Sequence, residues 1–402
     1  MLKRFILSQT RFIVVVFTLI LLSGVVSAQD AIGMPDLAGA YSISRAEYHL
    51  IDESRQEVFT EDTSDVRELM LTVYYPAQAE MGAEPAPYVE GILADVLAES
   101  NGITSNLWSL IRSKVLTGLA VAEVEASYPV LIFSPGMGTQ PLYYTSLLSE
   151  IASHGYIIAA LSHPYSTDVT IFPDGRIVQA NEAGVPSGIT IEAFRAKSNE
   201  LGAVWVADIR FLVEELERLN QSDDLLGGHL DLAHVGAFGH SFGGAAAAEA
   251  AYLDDRIDAA INMDGSFFGD VIEQGLPKPF MLMEALSDTE LAEIGVTREQ
   301  YEQNEEYQQR TRVFESAQPG YRFHLEGARH NTYATDLVIF APVLPDQLPP
   351  EMVGEVEGGR AVEIISTYIF AFFHRHLKGV EDSFLDAPSS AYPEVVFEIR
   401  TP

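Results

Sequence analysis

The stretch Ala237-Phe238-Gly239-His240-Ser241-Phe242-Gly243-Gly244 decides how this chain folds. It has the form G-x-S-x-G. Ahead of it, His234-Val235-Gly236-Ala237-Phe238 is short and mostly apolar, as a buried parallel strand is. Behind it, Ala245 to Ala251 is nearly all alanine, the residue that favours helix most. Strand, sharp turn and helix in that order describe a nucleophile elbow. Glycines leave room for a turn so tight that the serine oxygen projects from the end of the sheet. A bare G-x-S-x-G arises by chance, whereas one set between a strand and an alanine helix is a specific signal. The competing reading is a glycine-rich strand-to-helix turn in another doubly wound sheet.

Outward from the elbow, the same strand–helix alternation continues. Tyr128-Pro129-Val130-Leu131-Ile132-Phe133 reads as a strand that runs into the loop Ser134-Pro135-Gly136-Met137-Gly138. A helix over Tyr143 to His154 and the strand Tyr156 to Leu161 follow, a unit that implies a parallel sheet. Residues 162–187 are loop-like, with turns at Pro164, Pro173-Asp174-Gly175 and Pro186. Residues 190–219 form a long helix with Trp205, Ile209, Leu212, Val213, Leu216 and Leu219 on one face. Beyond the elbow, Ile257 to Met263 and Phe280 to Met283 are strands, and Tyr321 to Leu325 is the last. A helix over 361–377 and an irregular tail close the chain. Towards the N-terminus, Leu69 to Tyr75 is a strand stopped by Pro76, and residues 29–66 carry little pattern beyond an acidic hairpin and loop over Asp52 to Asp65.

Two segments stand apart from this alternation. Residues 88–121 are mostly helical in character, with Ile92, Leu93, Val96 and Leu97 at helical spacing and a second stripe from Leu107 to Leu116. The pair either packs on the main sheet or forms a lid in which Trp108 meets substrate. Residues 288–313 are rich in Glu and Gln and read as a solvated helical insertion over the sheet edge.

Composition bounds the rest. The 402 residues are 47% hydrophobic and 20% charged, which is globular, and long enough for one large α/β domain. Lys3, Arg4 and Arg11 precede the apolar run Phe12 to Leu22, and Val26-Ser27-Ala28 offers small residues for cleavage. Residues 1–28 therefore read as a secretory signal peptide cut after Ala28, leaving a single domain over 29–402 in a secreted or periplasmic protein. The alternative is an uncleaved N-terminal membrane anchor, for which the run is short. Loss of those three cations would carry the formal charge from −34 to −37. Such a surface repels nucleic acid and anionic membranes, so neither is an expected partner. There is no cysteine, hence no disulfide and no thiol nucleophile or thiolate metal site. No metal or other cofactor is expected.

A serine hydroxyl is a poor nucleophile unless a base accepts its proton and a third group orients that base. In the α/β-hydrolase fold those partners follow in the order serine, acid, histidine, each on a loop at the carboxyl end of a strand. His330, in Glu326-Gly327-Ala328-Arg329-His330-Asn331, stands in the loop after the last strand and is the candidate base. His154, His163, His234, His240, His324, His374 and His376 are less well placed in this order. Two carboxylates compete as the acid. Asp264 ends the strand after the elbow helix, and Asp288 follows the next strand by a few residues. The oxyanion formed on attack needs preorganised donors. The backbone N–H of Phe242 is one candidate, and that of Met137, in the turn Gly136-Met137-Gly138, is the second.

These residues together resemble the plasma-type platelet-activating factor acetylhydrolases and their bacterial relatives. The matching stretches are Tyr74-Tyr75-Pro76, Phe133 to Gly138, Ala152-Ser153-His154-Gly155-Tyr156, Gly239 to Gly244, Met263-Asp264 and Arg329-His330-Asn331, spread over residues 68–376. The resemblance implies a mostly parallel sheet flanked by helices and a serine esterase acting on short acyl esters, with the sn-2 ester of modified phospholipids among its substrates. It also implies that the acid follows the strand after the elbow helix, which favours Asp264 over Asp288. It lends weight to the lid reading of 88–121. The chain departs from the family at Pro135, where His is usual, and in the extra stretch 288–313; both fall near the substrate mouth. The remaining readings are a broad esterase or polyester hydrolase with the same triad, and a binding protein that carries the triad without turnover.

Overall fold

A computed structural model describes residues 31–78, 82–293 and 295–401. The proposed signal segment lies outside the described residues. Ten strands make one sheet: β1 (Ser42–Gln56), β2 (Val66–Ala77), β3 (Val115–Thr117), β4 (Tyr128–Ser134), β5 (Ile157–Ser162), β6 (Leu230–His240), β7 (Ala259–Met263), β8 (Phe280–Glu284), β9 (Gly320–Leu325) and β10 (Val395–Arg400). Their order across the sheet is β10-β9-β8-β7-β6-β4-β5-β2-β1-β3. The run from β9 through β5 is parallel throughout, and β10 and β2 pair antiparallel on its two sides. This is the mostly parallel, helix-flanked sheet of an α/β-hydrolase.

The parallel strands read as continuous apolar runs because both of their faces are covered. On β4, Val130 and Ile132 join one core while Leu131 and Phe133 join the other. The first core is completed by α3 (Ile191–Ser222) and by the alanines of α4 (Phe242–Leu253). The second is completed by α2 (Thr145–Ser153) and by α8 (Gly358–His376), whose Ile364, Ile365, Ile369, Phe372 and Phe373 are buried. Alanine in α4 has a packing reason as well as a propensity one. Small side chains let the helix lie close to β6 and bring its first turn over the sheet end.

Three expectations need correction. Residues 88–121 are helical only in α1 (Gly91–Ser100) and a 3₁₀ turn over Ser105–Leu110, while Val115 and Leu116 belong to β3, which pairs parallel with β1. Their apolar stripe was shared between a helix and a strand. Residues 42–56, without visible pattern in sequence, form the longest strand of the sheet, an edge-side ribbon in which Ile43, Leu50 and the polar Ser44 and Asp52 are buried while Glu47 and Glu53 are exposed. Finally, β9 is not last. Val395 and Phe397 are buried and Val396 and Glu398 exposed, the alternation of an antiparallel strand covered on one face.

Residues 288–313 are three short helices, α5 (Asp288–Glu293), α6 (Arg298–Glu302) and α7 (Glu305–Ser316). They are less solvated than their composition suggests. Arg310, Val313 and Phe314 of α7 are buried, and Val313 enters the core on the α3–α4 face.

Candidate active site

The elbow is set by close approach. A Cβ on Gly243 would stand 2.2 Å from the carbonyl oxygens of both Ser134 and Pro135, and one on Gly239 would stand 2.4 Å from Ser134 O. Only glycine allows the helix start and the strand end to meet there. Between them Ser241 takes φ 56°, ψ −124°, a conformation that costs a non-glycine residue on the order of 1–3 kcal/mol. Its N–H donates to Met263 O at 2.8 Å, which ties the elbow to the end of β7.

His330 bridges the other two candidates. Its Nε2 lies 2.9 Å from Ser241 Oγ, and its Nδ1 lies 2.7 Å from Asp264 Oδ2. Asp264 also has positive φ, 58°, as it turns off β7. Its other oxygen accepts from Ala285 N–H at 3.2 Å, and Arg310 stands 3.6 Å from that oxygen. Burial alone would raise the Asp264 pKa. The hydrogen bond and charge of His330, helped by Arg310 and the Ala285 amide, outweigh it and hold the carboxyl at about 2. An ionised acid beside Nδ1 fixes the tautomer that leaves Nε2 free to accept the serine proton. Asp288 does not join this cluster. It is exposed and pairs with Arg298 at 2.8 Å.

The two proposed oxyanion donors sit on segments that border Ser241. A Cβ on Gly136 would come 3.5 Å from Ser241 Cβ, so the 135–138 loop lies against the elbow. Within that loop Gly136 N–H donates to Tyr144 Oη, Gly138 N–H to Ser166 O and Thr139 N–H to Gly136 O. Among the described residues, Met137 N–H is the loop amide not drawn into these turns. Phe242 N–H is in the first turn of α4, where helix amides have no intrahelical acceptor.

Several residues to which the sequence assigned no role here hold this arrangement. His240 is buried, and burial together with the neighbouring His330 pushes its pKa well down. A neutral ring with Nε2 2.9 Å from His330 O must donate there, so its Nδ1 accepts from Tyr144 Oη at 2.8 Å. The chain Gly136 N–H to Tyr144, Tyr144 to His240, His240 to His330 thus joins the 135–138 loop to the loop that carries His330. Asp336, six residues past His330, accepts from Thr145 and Ser146 N–H at 3.1 and 3.0 Å and from Tyr88 Oη at 2.9 Å, capping α2. Its pKa is pushed up to about 6 by burial. Arg329 pairs with Glu290 and Glu293 of α5 at 3.0 and 2.9 Å, fastening residues 288–293 beside His330. Nothing in the sequence marked Tyr144, Asp336 or Arg310, since the partners His240, Thr145 and Asp264 that give them their place lie far off along the chain.

Trp108 does not face the serine. It is 4% exposed, donates Nε1–H to Ala94 O at 2.9 Å and stacks on Tyr88, within a satellite core shared with Val338, Phe340, Leu348 and Val353. The α1 segment therefore braces the chain that follows His330.

With this geometry in view, the chain matches the family Platelet-activating factor acetylhydrolase, isoform II, over residues 26–218 and 219–387. The chain belongs to this family. It is similar to a probable 1-alkyl-2-acetylglycerophosphocholine esterase from Arthroderma benhamiae, 26% identical over 90% of this chain and 93% of that one. It is also similar to a platelet-activating factor acetylhydrolase from Cavia porcellus, 22% identical over 78% of this chain and 73% of its relative. Among solved structures, a ferulic acid esterase from Streptomyces cinnamoneus superposes with TM-score 0.74 at 30% identity, covering 91% of this chain and 98% of that one. The protein is a carboxylic ester hydrolase of the α/β-hydrolase fold. Among the described residues no helix is long and apolar enough to cross a membrane.

Proposed function

We propose that this esterase works through an acyl-enzyme on Ser241, with His330 as general base, Asp264 as its orienting acid and the N–H groups of Phe242 and Met137 as oxyanion donors. The observation that carries the reading is the double reach of His330, 2.9 Å to the serine oxygen and 2.7 Å to the carboxylate. As Ser241 Oγ bonds to the ester carbonyl carbon, its proton passes to His330 Nε2. The carbonyl π electrons move to oxygen, and the two amides receive that charge. Collapse breaks the bond to the alcohol oxygen, which leaves with the proton from Nε2. Water, deprotonated by the same nitrogen, attacks the acyl carbon and frees Ser241 and the carboxylic acid. Asp264 stays ionised and stabilises the imidazolium at each stage.

For substrate, the names of the relatives support a short acyl group on a lipid-like alcohol, and the solved ferulic acid esterase supports an aryl ester as the second reading. Ser241 and His330 are partly exposed, so the alcohol portion can be large. The signal-like N-terminus supports action outside the cytoplasm. The test is a panel of p-nitrophenyl esters varying only in acyl length, with methyl ferulate and a short sn-2 phosphatidylcholine beside it, each run against Ser241→Ala. The reading expects kcat/KM to be highest for acetyl to butyryl and to vanish in the variant. Rising kcat/KM towards long acyl chains, or a marked preference for the ferulate, would overturn the short-acyl assignment.

A further inference from the structure

Beneath the oxyanion loop lies a second chain of serine, histidine and aspartate. Ser134 Oγ is 3.0 Å from His163 Nε2, and His163 Nδ1 is 2.8 Å from Asp208 Oδ2. All three residues have no exposed surface, so no ester reaches Ser134 and the trio is not another active site. Asp208 is ionised: burial would raise its pKa, but Arg67, through hydrogen bonds of 3.1 and 2.6 Å, and the bond from His163 hold it below the usual carboxylate range. Arg55 adds a contact at 2.8 Å. Nδ1 of His163 therefore donates to Asp208, and Nε2 accepts the Ser134 hydroxyl proton.

His163 reaches supports of both proposed oxyanion donors, some through its ring and one through its backbone carbonyl. Ser134 is the last residue of β4 and leads directly into Pro135-Gly136-Met137. The His163 carbonyl accepts from Ser166 and Thr167 N–H at 3.0 and 2.7 Å, closing a turn in which Tyr165 has φ 68°. Ser166 O in that turn accepts Gly138 N–H at 2.7 Å. Met137 is thus held from both sides, at Ser134 and at Gly138. The face of the His163 ring stacks on Trp205 with centroids 3.9 Å apart and planes 15° apart. Trp205 in turn meets Phe242 edge-on at 5.1 Å.

We propose that His163 is a positioning residue that fixes the separation of the Met137 and Phe242 amides through Ser134, the 163–167 turn and Trp205. The inference rests on the oxyanion assignment made above. Oxyanion donors act by being placed beforehand where charge will develop, so loosening their supports lowers the rate of acyl transfer without weakening ground-state binding. A displacement of about 1 Å in such a group costs on the order of 100-fold in rate.

The test uses Ser134→Ala, Trp205→Phe, Trp205→Ala and His163→Gln in the full chain. Each is assayed for kcat and KM on p-nitrophenyl butyrate and for inhibition by an alkyl trifluoromethyl ketone, whose hemiketal with the active-site serine places an oxyanion between the donors. The expected result is a kcat about 10- to 100-fold lower with KM within about twofold, and a ketone inhibition constant that rises in step with the loss of kcat/KM. Trp205→Phe, which keeps a ring against both His163 and Phe242, should recover most of the loss seen in Trp205→Ala. If His163→Gln does not fold, Ser134→Ala and the Trp205 pair decide the matter. Wild-type kcat and ketone affinity in folded Ser134→Ala and Trp205→Ala would overturn the proposal, as would a rise in KM alone. Ser241→Ala keeps the two readings apart: if it is inactive while these variants are unchanged, only the positioning role of His163 fails.

Discussion

Arg310 stands 3.6 Å from Oδ1 of Asp264, the carboxylate whose other oxygen binds His330. The guanidinium comes from α7, is buried, and also faces Glu284 at 3.5 Å and Glu306 at 3.3 Å. The segment that looked like an acidic surface insertion therefore supplies a positive charge to the proposed acid. Arg310→Met leaves three carboxylates close together with one counter-charge fewer. We expect a loss of about 3 kcal/mol in urea unfolding, the scale for removing one partner of a buried ion cluster. We also expect kcat/KM to fall roughly tenfold as Asp264 loses its fixed setting. A variant as stable and active as wild type would remove Arg310 from the account.

Asp264 and Asp288 are separated by one pair of substitutions. Asp264→Asn should lower kcat on the order of 10⁴-fold, because the amide favours the wrong tautomer of His330. Asp288→Asn, at a side chain 80% exposed, should leave kcat within about twofold. Steady-state kinetics on p-nitrophenyl acetate decides it, and equal losses from both would contradict the geometry.

Trp108→Ala distinguishes packing from a lid. The indole is buried against Tyr88 and hydrogen-bonded to Ala94 O. Its removal should cost about 3–5 kcal/mol of stability, as for other buried aromatics, with KM for a short ester unchanged at a temperature where the variant is folded. A large KM effect with little loss of stability would restore the lid.

What the sequence displayed and what it hid divide along physical lines. The parallel strands β4 to β9 were legible because a strand buried on both faces must be apolar throughout, and the elbow because only glycine tolerates 2.2–2.4 Å approaches. Ser241 and His330 stood out as candidates because chain order and strand ends narrow the choice, whereas those signals left Asp264 and Asp288 both open and only the family resemblance favoured Asp264. The strand β1 was not, since its outward residues Glu47, His49, Glu53 and Arg55 break any apolar run. Nor was the true course of 88–121, where the stripe from Leu107 to Leu116 serves a 3₁₀ turn and then a strand. The supporting side chains were hidden for another reason. Tyr144 meets His240 across 96 residues and Tyr88 meets Asp336 across 248, and a polar residue gives no local sign of a distant partner.

His376 gives a pH signature. Burial, then the charge of Arg375, pushes its pKa down to about 4, against about 6.5 in an unfolded chain. As pH falls from 6.5 towards 4 the unfolded chain takes up a proton that the folded one refuses, so stability present above pH 6.5 is lost across that window. Asp336, raised to about 6, acts in the opposite direction, so the comparison must be between wild type and His376→Gln rather than between two pH values alone. From pH 7.5 to 4.5, wild type should lose about 2 kcal/mol more than the variant in urea unfolding, after allowance for partial exposure. Parallel losses would show that His376 does not titrate as its burial requires.

The most direct test of the central claim is to trap the acyl-enzyme. Wild-type protein and Ser241→Ala are mixed with p-nitrophenyl acetate, quenched in acid within the first turnovers, digested and mapped by mass spectrometry. The account predicts one acetyl group on the wild-type peptide carrying Gly239-His240-Ser241-Phe242-Gly243, and neither adduct nor turnover in the variant. Acetyl on another residue as the competent intermediate, or wild-type turnover by Ser241→Ala, would contradict it.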